Sequence, residues 1–297
     1  MLSRPRSTHS SGARFHRCQS RGQPIGHRLP VVERGLRRQL HRHLVSLENG
    51  QSIVQLREAS IALSDHRSLK VDNWTLLPGE FWVVGGLNWT GKTEWLMTAA
   101  GLQPVGAGQQ SIFGTPLTRL TSAERIANRR RMGFVFEHTG RLFAELSVAE
   151  NVMLPLRYQA EADAATLESR LGNVMEICGI RDLGEKPPTE LSRGVQRRAG
   201  LARALILEPE VLFLDTPLIG LDPVHARWWL DLLRRFHAGE SFPIQTPNTI
   251  VVTVEDFRPW LQPGREFAML DSGNLVRLGQ ASTVRRCEHR VVQEMLA

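Results

Sequence analysis

The 297-residue sequence predicts an α/β fold with a helical insert, and three observations predict it. The apolar runs Phe81-Trp82-Val83-Val84, Val211-Leu212-Phe213-Leu214 and Ile250-Val251-Val252-Thr253 read as buried strands. Gly86-Leu87-Asn88-Trp89-Thr90-Gly91-Lys92-Thr93 directly follows the first run and fits G-x-x-x-x-G-K-[ST], the phosphate-binding loop. Between these runs, Ser147 to Ile177 is mostly helical in pattern and interrupts the alternation of strands and helices.

The elements follow in order. Ser52 to Leu56 reads as a first strand and Leu69 to Leu77 as a second. Pro78-Gly79-Glu80 turns the chain into the strand ahead of the loop, and Glu94 to Ala100 reads as the helix after it. In that setting glycines let backbone N–H groups approach a polyphosphate, and a helix N-terminus adds the positive end of its dipole. Lys92 reaches the β- and γ-phosphates, and the Thr93 hydroxyl holds Mg²⁺. Thr121-Ser122-Ala123-Glu124 is a capping box opening an Arg-rich helix to about Arg131, and Met132 to Phe136 is a short strand. Ser147-Val148-Ala149-Glu150 is a second capping box, and Leu154-Pro155 breaks the helical stretch behind it once. Ser192 caps a helix running to about Leu207. Asp215 ends the Val211 run, at the strand end where phosphate-loop proteins hold Mg²⁺. Phe267 to Leu270 and Asn274 to Arg277 flank Asp271-Ser272-Gly273 as a hairpin.

Composition narrows the class. An apolar content of 41% and a charged content of 23% describe a soluble globular protein, and no apolar run approaches the 18 residues of a membrane span. Three scattered cysteines, Cys18, Cys178 and Cys287, suggest a reducing compartment without a disulfide framework. The net charge of +7 is local: residues 1–43 hold ten arginines, five histidines and one acid, leaving 27 basic against 29 acidic residues. Residues 1–48 are therefore expected to be a basic, disordered tail. Three readings of it stand: an arm touching phosphates or anionic lipid, an organellar targeting segment, or a solvated stretch without function. The folded part carries no basic excess, so no specific nucleic-acid partner is expected.

Leu191-Ser192-Arg193-Gly194-Val195-Gln196-Arg197-Arg198 sharpens this picture. It resembles the L-S-G-G-Q signature of the nucleotide-binding domains of ATP-binding cassette (ABC) transporters. Leu201-Ala202-Arg203-Ala204-Leu205, Glu208-Pro209, the Asp215 strand and Gly220-Leu221-Asp222-Pro223, similar to the D-loop, follow in the family's order. The resemblance covers about residues 51–283. It implies a domain over 49–283 with a helical subdomain at about 138–196, and a C-terminal helix or tail at 284–297. It implies a head-to-tail dimer sandwiching two MgATP, with a second ABC subunit, identical or not, as partner. Ser192 and the Gly194 N–H would face a γ-phosphate across that interface, while Ser192 also caps its helix. Mg²⁺ would be held by Thr93, by Asp215 through water, and by Glu137.

The departures from the family pattern cluster on hydrolysis. Thr216 stands where the family has the Glu that polarises water, and Thr is no base near neutral pH. Glu137 stands at the Q-loop glutamine; it can ligate a hard cation but adds negative charge. Val254 stands at the switch histidine and cannot hydrogen-bond a phosphate. Leu63 stands near the aromatic that stacks on adenine. Trp89 replaces a loop glycine and reads as a packing or interface residue. Arg193 replaces the first signature glycine, either reaching towards the γ-phosphate or lying in solvent. Losing one transition-state contact costs about 10²–10³ in rate, so binding without efficient hydrolysis is expected.

Phe136-Glu137-His138-Thr139-Gly140-Arg141-Leu142-Phe143, then Asn151-Val152-Met153-Leu154-Pro155-Leu156-Arg157-Tyr158, looks most like the ATPase subunits of phospholipid-trafficking systems that maintain outer-membrane lipid asymmetry. That implies an integral-membrane permease docked on the Glu137–Arg157 region and a cytoplasmic protein peripheral to the inner face of the membrane. Two other readings stand beside the transporter subunit. One is a regulatory protein whose output is ATP-gated dimerisation without a permease. The other is an active ATPase using Glu255 or Glu137 as substitute carboxylate.

Overall fold

The computed structural model describes residues 51–137, 141–157 and 164–297. The expectations for the tail 1–48, Cys18, His138-Thr139-Gly140 and Tyr158 lie outside the described residues.

Ten strands form one sheet. In chain order they are β1 (Val54–Ala62), β2 (Ser68–Leu76), β3 (Phe81–Gly86), β4 (Ala107–Ile112), β5 (Thr115–Pro116), β6 (Met132–Val135), β7 (Val211–Leu214), β8 (Thr249–Val254), β9 (Arg265–Asp271) and β10 (Asn274–Gln280). In space they run β5-β4-β1-β2-β10-β9-β3-β8-β7-β6. The half from β9 to β6 is parallel, and β1, β2, β4 and β5 form an antiparallel wing. Parallel strands covered on both faces are apolar throughout, and β3, β7 and β8 are buried at every position.

The period of two divides these strands between two cores. Phe81, Val83, Leu212, Leu214, Val252 and Val254 face the larger one, built with α3 (Val148–Arg157), α4 (Ala164–Ile177), α5 (Arg193–Leu205) and α6 (Pro223–His237). Trp82, Val84, Phe213 and Val251 face the other, which holds α1 (Lys92–Ala99) and the wing. Trp95 of α1 packs edge-on against Trp74 at 5.0 Å, and Trp74 against Trp82 at 5.8 Å, which seats α1 under the phosphate loop. The segment 284–297 contributes Val284, Val292 and Met295 to the larger core.

Both capping boxes form. Thr121 opens α2 (Ser122–Arg130) with Glu124, and Ser147 exchanges hydrogen bonds with Glu150 ahead of α3. Pro155 does not break the helix where the sequence reading places the break; it sits inside α3, which continues to Arg157. Only one carbonyl, that of Asn151, loses its i→i−4 donor to the proline ring. Strand β1 extends to Ala62, six residues past the expected end. Its polar stretch Arg57-Glu58 hides it because a bulge there, with Glu58 at φ 47°, breaks the alternation. Its partner β4 and the edge strand β5 beyond it, rich in Gly, Gln and Thr, carry no apolar run to announce them. The hairpin β9–β10 turns at Ser272-Gly273, both at positive φ.

Candidate phosphate-binding site

The order β3-β8-β7-β6 sets four strand ends side by side. The phosphate loop leaves β3, Glu255 leaves β8, Asp215 leaves β7, and Phe136-Glu137 leave β6. Ligands of open α/β sheets bind at such carboxyl ends. A cavity of about 570 Å³ opens there, lined by Asn88 to Glu94, Glu137, Arg141, Asp215, Glu255 and the β1–β2 turn with Leu63.

The loop is held by its own backbone. Lys92 Nζ donates to the carbonyls of Gly86 at 2.9 Å and Leu87 at 3.0 Å, and Thr90 Oγ1 donates to Leu87 O at 2.9 Å. Gly91 adopts φ 93°, a conformation that favours glycine, and a Cβ there would lie 2.5 Å from Leu63 Cδ2, so the Leu63 side chain would have to shift. Gly91 N-caps α1 without a side-chain acceptor for the first-turn N–H groups, and Gly91 to Glu94 line the cavity. Trp89 takes φ 65° and is 87% exposed, while Arg67 Nη2 donates to its carbonyl at 2.7 Å.

Thr93 and Asp215 meet. Thr93 Oγ1 donates to Asp215 Oδ2 at 2.8 Å, and Thr253 Oγ1 donates to Asp215 Oδ1 at 2.8 Å. Burial pushes the Asp215 carboxyl above the ordinary aspartate range; the Thr93 and Thr253 hydrogen bonds pull the other way. A hydroxyl and a carboxylate at this spacing suit a hard cation such as Mg²⁺, which takes one or two protein oxygens and completes its shell with phosphates and water. Among the described residues no three acidic, histidine or cysteine side chains converge on a metal site, so this pair offers part of a shell. Glu137 lines the same cavity.

Thr216 and Val254, which the resemblance sets at two of the family's cleavage positions, do not line this cavity. Thr216 is buried, at φ 38°, with its N–H donated to Thr253 Oγ1 at 3.0 Å. Val254 is 4% exposed and faces the larger core, away from α1. One residue on, the alternation brings Glu255 to the α1 side, where its Oε1 lies 3.2 Å from Lys92 Nζ. Thr253 and the Lys92–Glu255 contact were not legible in sequence. Thr253 reads as one more residue of a buried run, and its bond to Asp215 depends on β7 and β8 being neighbours.

The signature forms a separate structure. Ser192 caps α5, its Oγ accepting from Val195 N at 3.4 Å. A Cβ on Gly194 would meet the His225 ring at 2.5 Å, and His225 Nδ1 lies 2.6 Å from Asp222 Oδ2. The Arg197 side chain reaches the carbonyls of Pro217 and Ile219, tying α5 to the segment after Asp215. Arg193 is exposed. None of Leu191, Ser192, Arg193 or Gly194 lines the cavity, so one chain does not bring signature and phosphate loop together.

A family model described as "ABC transporter" matches residues 69–219. The sulfate/thiosulfate import ATP-binding protein CysA of Methylococcus capsulatus is 30% identical over 234 residues, which are 78% of this chain and 64% of that protein. The chain spans 55% of the CysA of Yersinia pseudotuberculosis, at 31% identity over 213 residues and 70% of its own length. The methionine import ATP-binding protein MetN of Carboxydothermus hydrogenoformans is 30% identical over 238 residues, 78% of this chain and 67% of that protein. Among solved structures, cbiO1 from Clostridium perfringens, part of the ABC transporter complex cbiONQ, matches with a TM-score of 0.68 at 24% identity, over 80% of this chain and 91% of that one. A dimeric ATP-binding cassette in a post-hydrolysis state with ADP and Pi matches with a TM-score of 0.64 at 24% identity, over 75% and 96%. At these identities the structural matches establish the fold.

Proposed function

Because the chain belongs to the ABC transporter family, we propose that it is the ATP-binding subunit of a transporter, binding MgATP in a head-to-tail dimer and hydrolysing it slowly. The observation that carries this is the meeting of Thr93 in the first turn of α1 with Asp215 at the end of β7, beside Lys92. Lys92 takes the phosphates, the first-turn N–H groups of α1 support them, and the Thr93 hydroxyl and Asp215 hold the cation. Mg²⁺, when bound, draws charge from the phosphate oxygens. The signature lies outside this cavity, which supports a second ABC subunit bringing its own Ser192 and Gly194 to it, at a helix N-terminus.

Slow turnover is supported by burial. Thr216 offers no carboxylate, and Val254 turns its side chain into the core. An integral-membrane permease is the second partner in this reading. It would hold the chain at the inner face of the membrane; among the described residues no helix is long and apolar enough to cross it.

The lipid-trafficking branch rests on one string, and that string has packing work in this fold. The Asn151 amide donates to the carbonyls of Phe143, Leu146 and Ser147, while Val152 and Leu156 are buried. The relatives reported above are named for import of sulfate/thiosulfate and methionine. Identifying the permease that co-purifies with the chain separates these alternatives. Co-purification of none, together with an ATP-dependent dimer, would favour the regulatory reading.

The test of the proposal is phosphate release and bound nucleotide measured together on the full chain, with Lys92→Ala as control. We expect occupied sites in the wild type, empty ones in the variant, and turnover far below about 1 s⁻¹. Lys92-dependent turnover in the ordinary enzyme range would overturn slow hydrolysis; absence of bound nucleotide would overturn the whole reading.

A further inference from the structure

A pocket that is to take a polyanion would be expected to be basic, and this one is not. Among the described residues its lining holds Asp65, Glu94, Glu137, Asp215 and Glu255 against Arg67, Lys92 and Arg141. The cations are, moreover, engaged. Arg67 pairs with Asp65 at 2.6 Å. The Arg141 guanidinium lies 4.1 Å over the Phe136 ring. Lys92, the one cation inside the loop, is 8% exposed and pairs with Glu255 at 3.2 Å. Glu255 is one-third exposed and sits on the strand end between the phosphate loop and Asp215, so its carboxylate borders the space that a terminal phosphate would enter.

We infer that Glu255 is a specificity-determining residue that makes nucleotide binding depend on a divalent cation. The inference rests on the reading of the site as a nucleotide site. A free triphosphate arriving here must take Lys92 from a carboxylate and then lie against that same carboxylate. Like charges in contact at a partly desolvated site repel strongly. A triphosphate carrying Mg²⁺ brings two positive charges with it, docked at Thr93 and Asp215, and the excess of carboxylates becomes favourable. The site thereby discriminates between the metal complex and the bare anion. Val254 could not do this, being turned into the core; the discrimination belongs to the residue after it.

The experiment is titration of the full chain with ATP, in excess Mg²⁺ and in EDTA, for wild type, Glu255→Gln, Glu255→Ala and Asp256→Asn. Asp256 is paired with Arg258 outside the cavity and serves as the control for loss of a nearby acid. In wild type, EDTA should weaken ATP binding at least 100-fold. In both Glu255 variants affinity in EDTA should rise at least tenfold, the scale of one contact charge removed. Affinity in Mg²⁺ should move less, and Asp256→Asn should follow wild type. Unchanged affinity in EDTA for both Glu255 variants would overturn the inference. So would weakened binding in Mg²⁺ alone, which would make Glu255 a ligand of the cation instead. An equal gain in Asp256→Asn would overturn it too, as an effect of overall charge. Binding by no variant under either condition would overturn the nucleotide reading itself, an outcome distinct from binding with an unaltered Mg²⁺ dependence.

Discussion

Asp215 is held where a carboxylate is least comfortable. It is 2% exposed, and its burial outweighs the two hydroxyls that donate to it, so its folded pKa lies above that of the unfolded chain. The folded state therefore binds that proton more readily. The favourable contribution is complete below the unfolded value and is lost as pH rises through the folded one. Without nucleotide, Asp215→Asn should melt higher than wild type at pH 7. The gap should close as pH falls towards about 4, near the ordinary aspartate pKa; melting temperatures across that range check it. Removal of the same carboxylate should weaken binding of the Mg²⁺ complex, the usual exchange of stability for function at a site.

Val254 shows how an alignment and a geometry part company at one residue. Restoring the family's histidine there would insert an imidazole into the larger core rather than into the cavity. Val254→His is expected to cost about 1–3 kcal/mol in urea unfolding and to leave phosphate release no faster. Faster release would mean that the β8 end can turn this side chain to the phosphate. Placement was legible at this scale: motif and strand end announce that Gly91, Lys92, Thr93 and Asp215 come together at one cavity. The direction of a side chain was not. It follows from the fold: Val254, the last residue of β8, faces the larger core, and Glu255, just past the strand end, meets Lys92.

At the scale of elements, capping and turn chemistry carried well from sequence to structure. The Thr121 and Ser147 boxes, the Ser192 cap and the Ser272-Gly273 turn are short-range patterns whose hydrogen bonds close within four residues. The wing carried poorly. Strands β1 and β4 meet across a bulge at which Gly108 adopts φ 85°, and a Cβ there would lie 2.2 Å from the Glu58 carbonyl oxygen. Both the dihedral and the backbone contact demand glycine. Gly108→Ala should destabilise the fold by about 2–3 kcal/mol in urea unfolding. A neutral result would show that the bulge relaxes freely. The proline in α3 belongs to this scale as well, since it takes a single i→i−4 donor from the helix that contains it.

For the whole molecule, the separation of signature and phosphate loop in one chain has a direct consequence. If each supplies half of a site, nucleotide should hold two copies together, or hold this chain to a different ABC subunit. Light scattering of the full chain with MgATP should give a dimeric mass, and Lys92→Ala should remain monomeric. A monomer with nucleotide bound would point to a different subunit as partner. The α/β class, the strand–loop–helix at residues 86–93 and the family were readable from the chain alone. Each rests on a contiguous stretch, and local backbone geometry and helix-end electrostatics act within such stretches. The bond of Thr253 to Asp215 joins residues 38 positions apart and the facing of Lys92 by Glu255 residues 163 apart, and the ten-stranded order and the bulged wing rest on pairings between distant segments as well. No short pattern encodes such neighbours. They exist because burying both faces of the sheet sets the β3, β8 and β7 ends in a row, and that row determines which carboxylate meets the lysine.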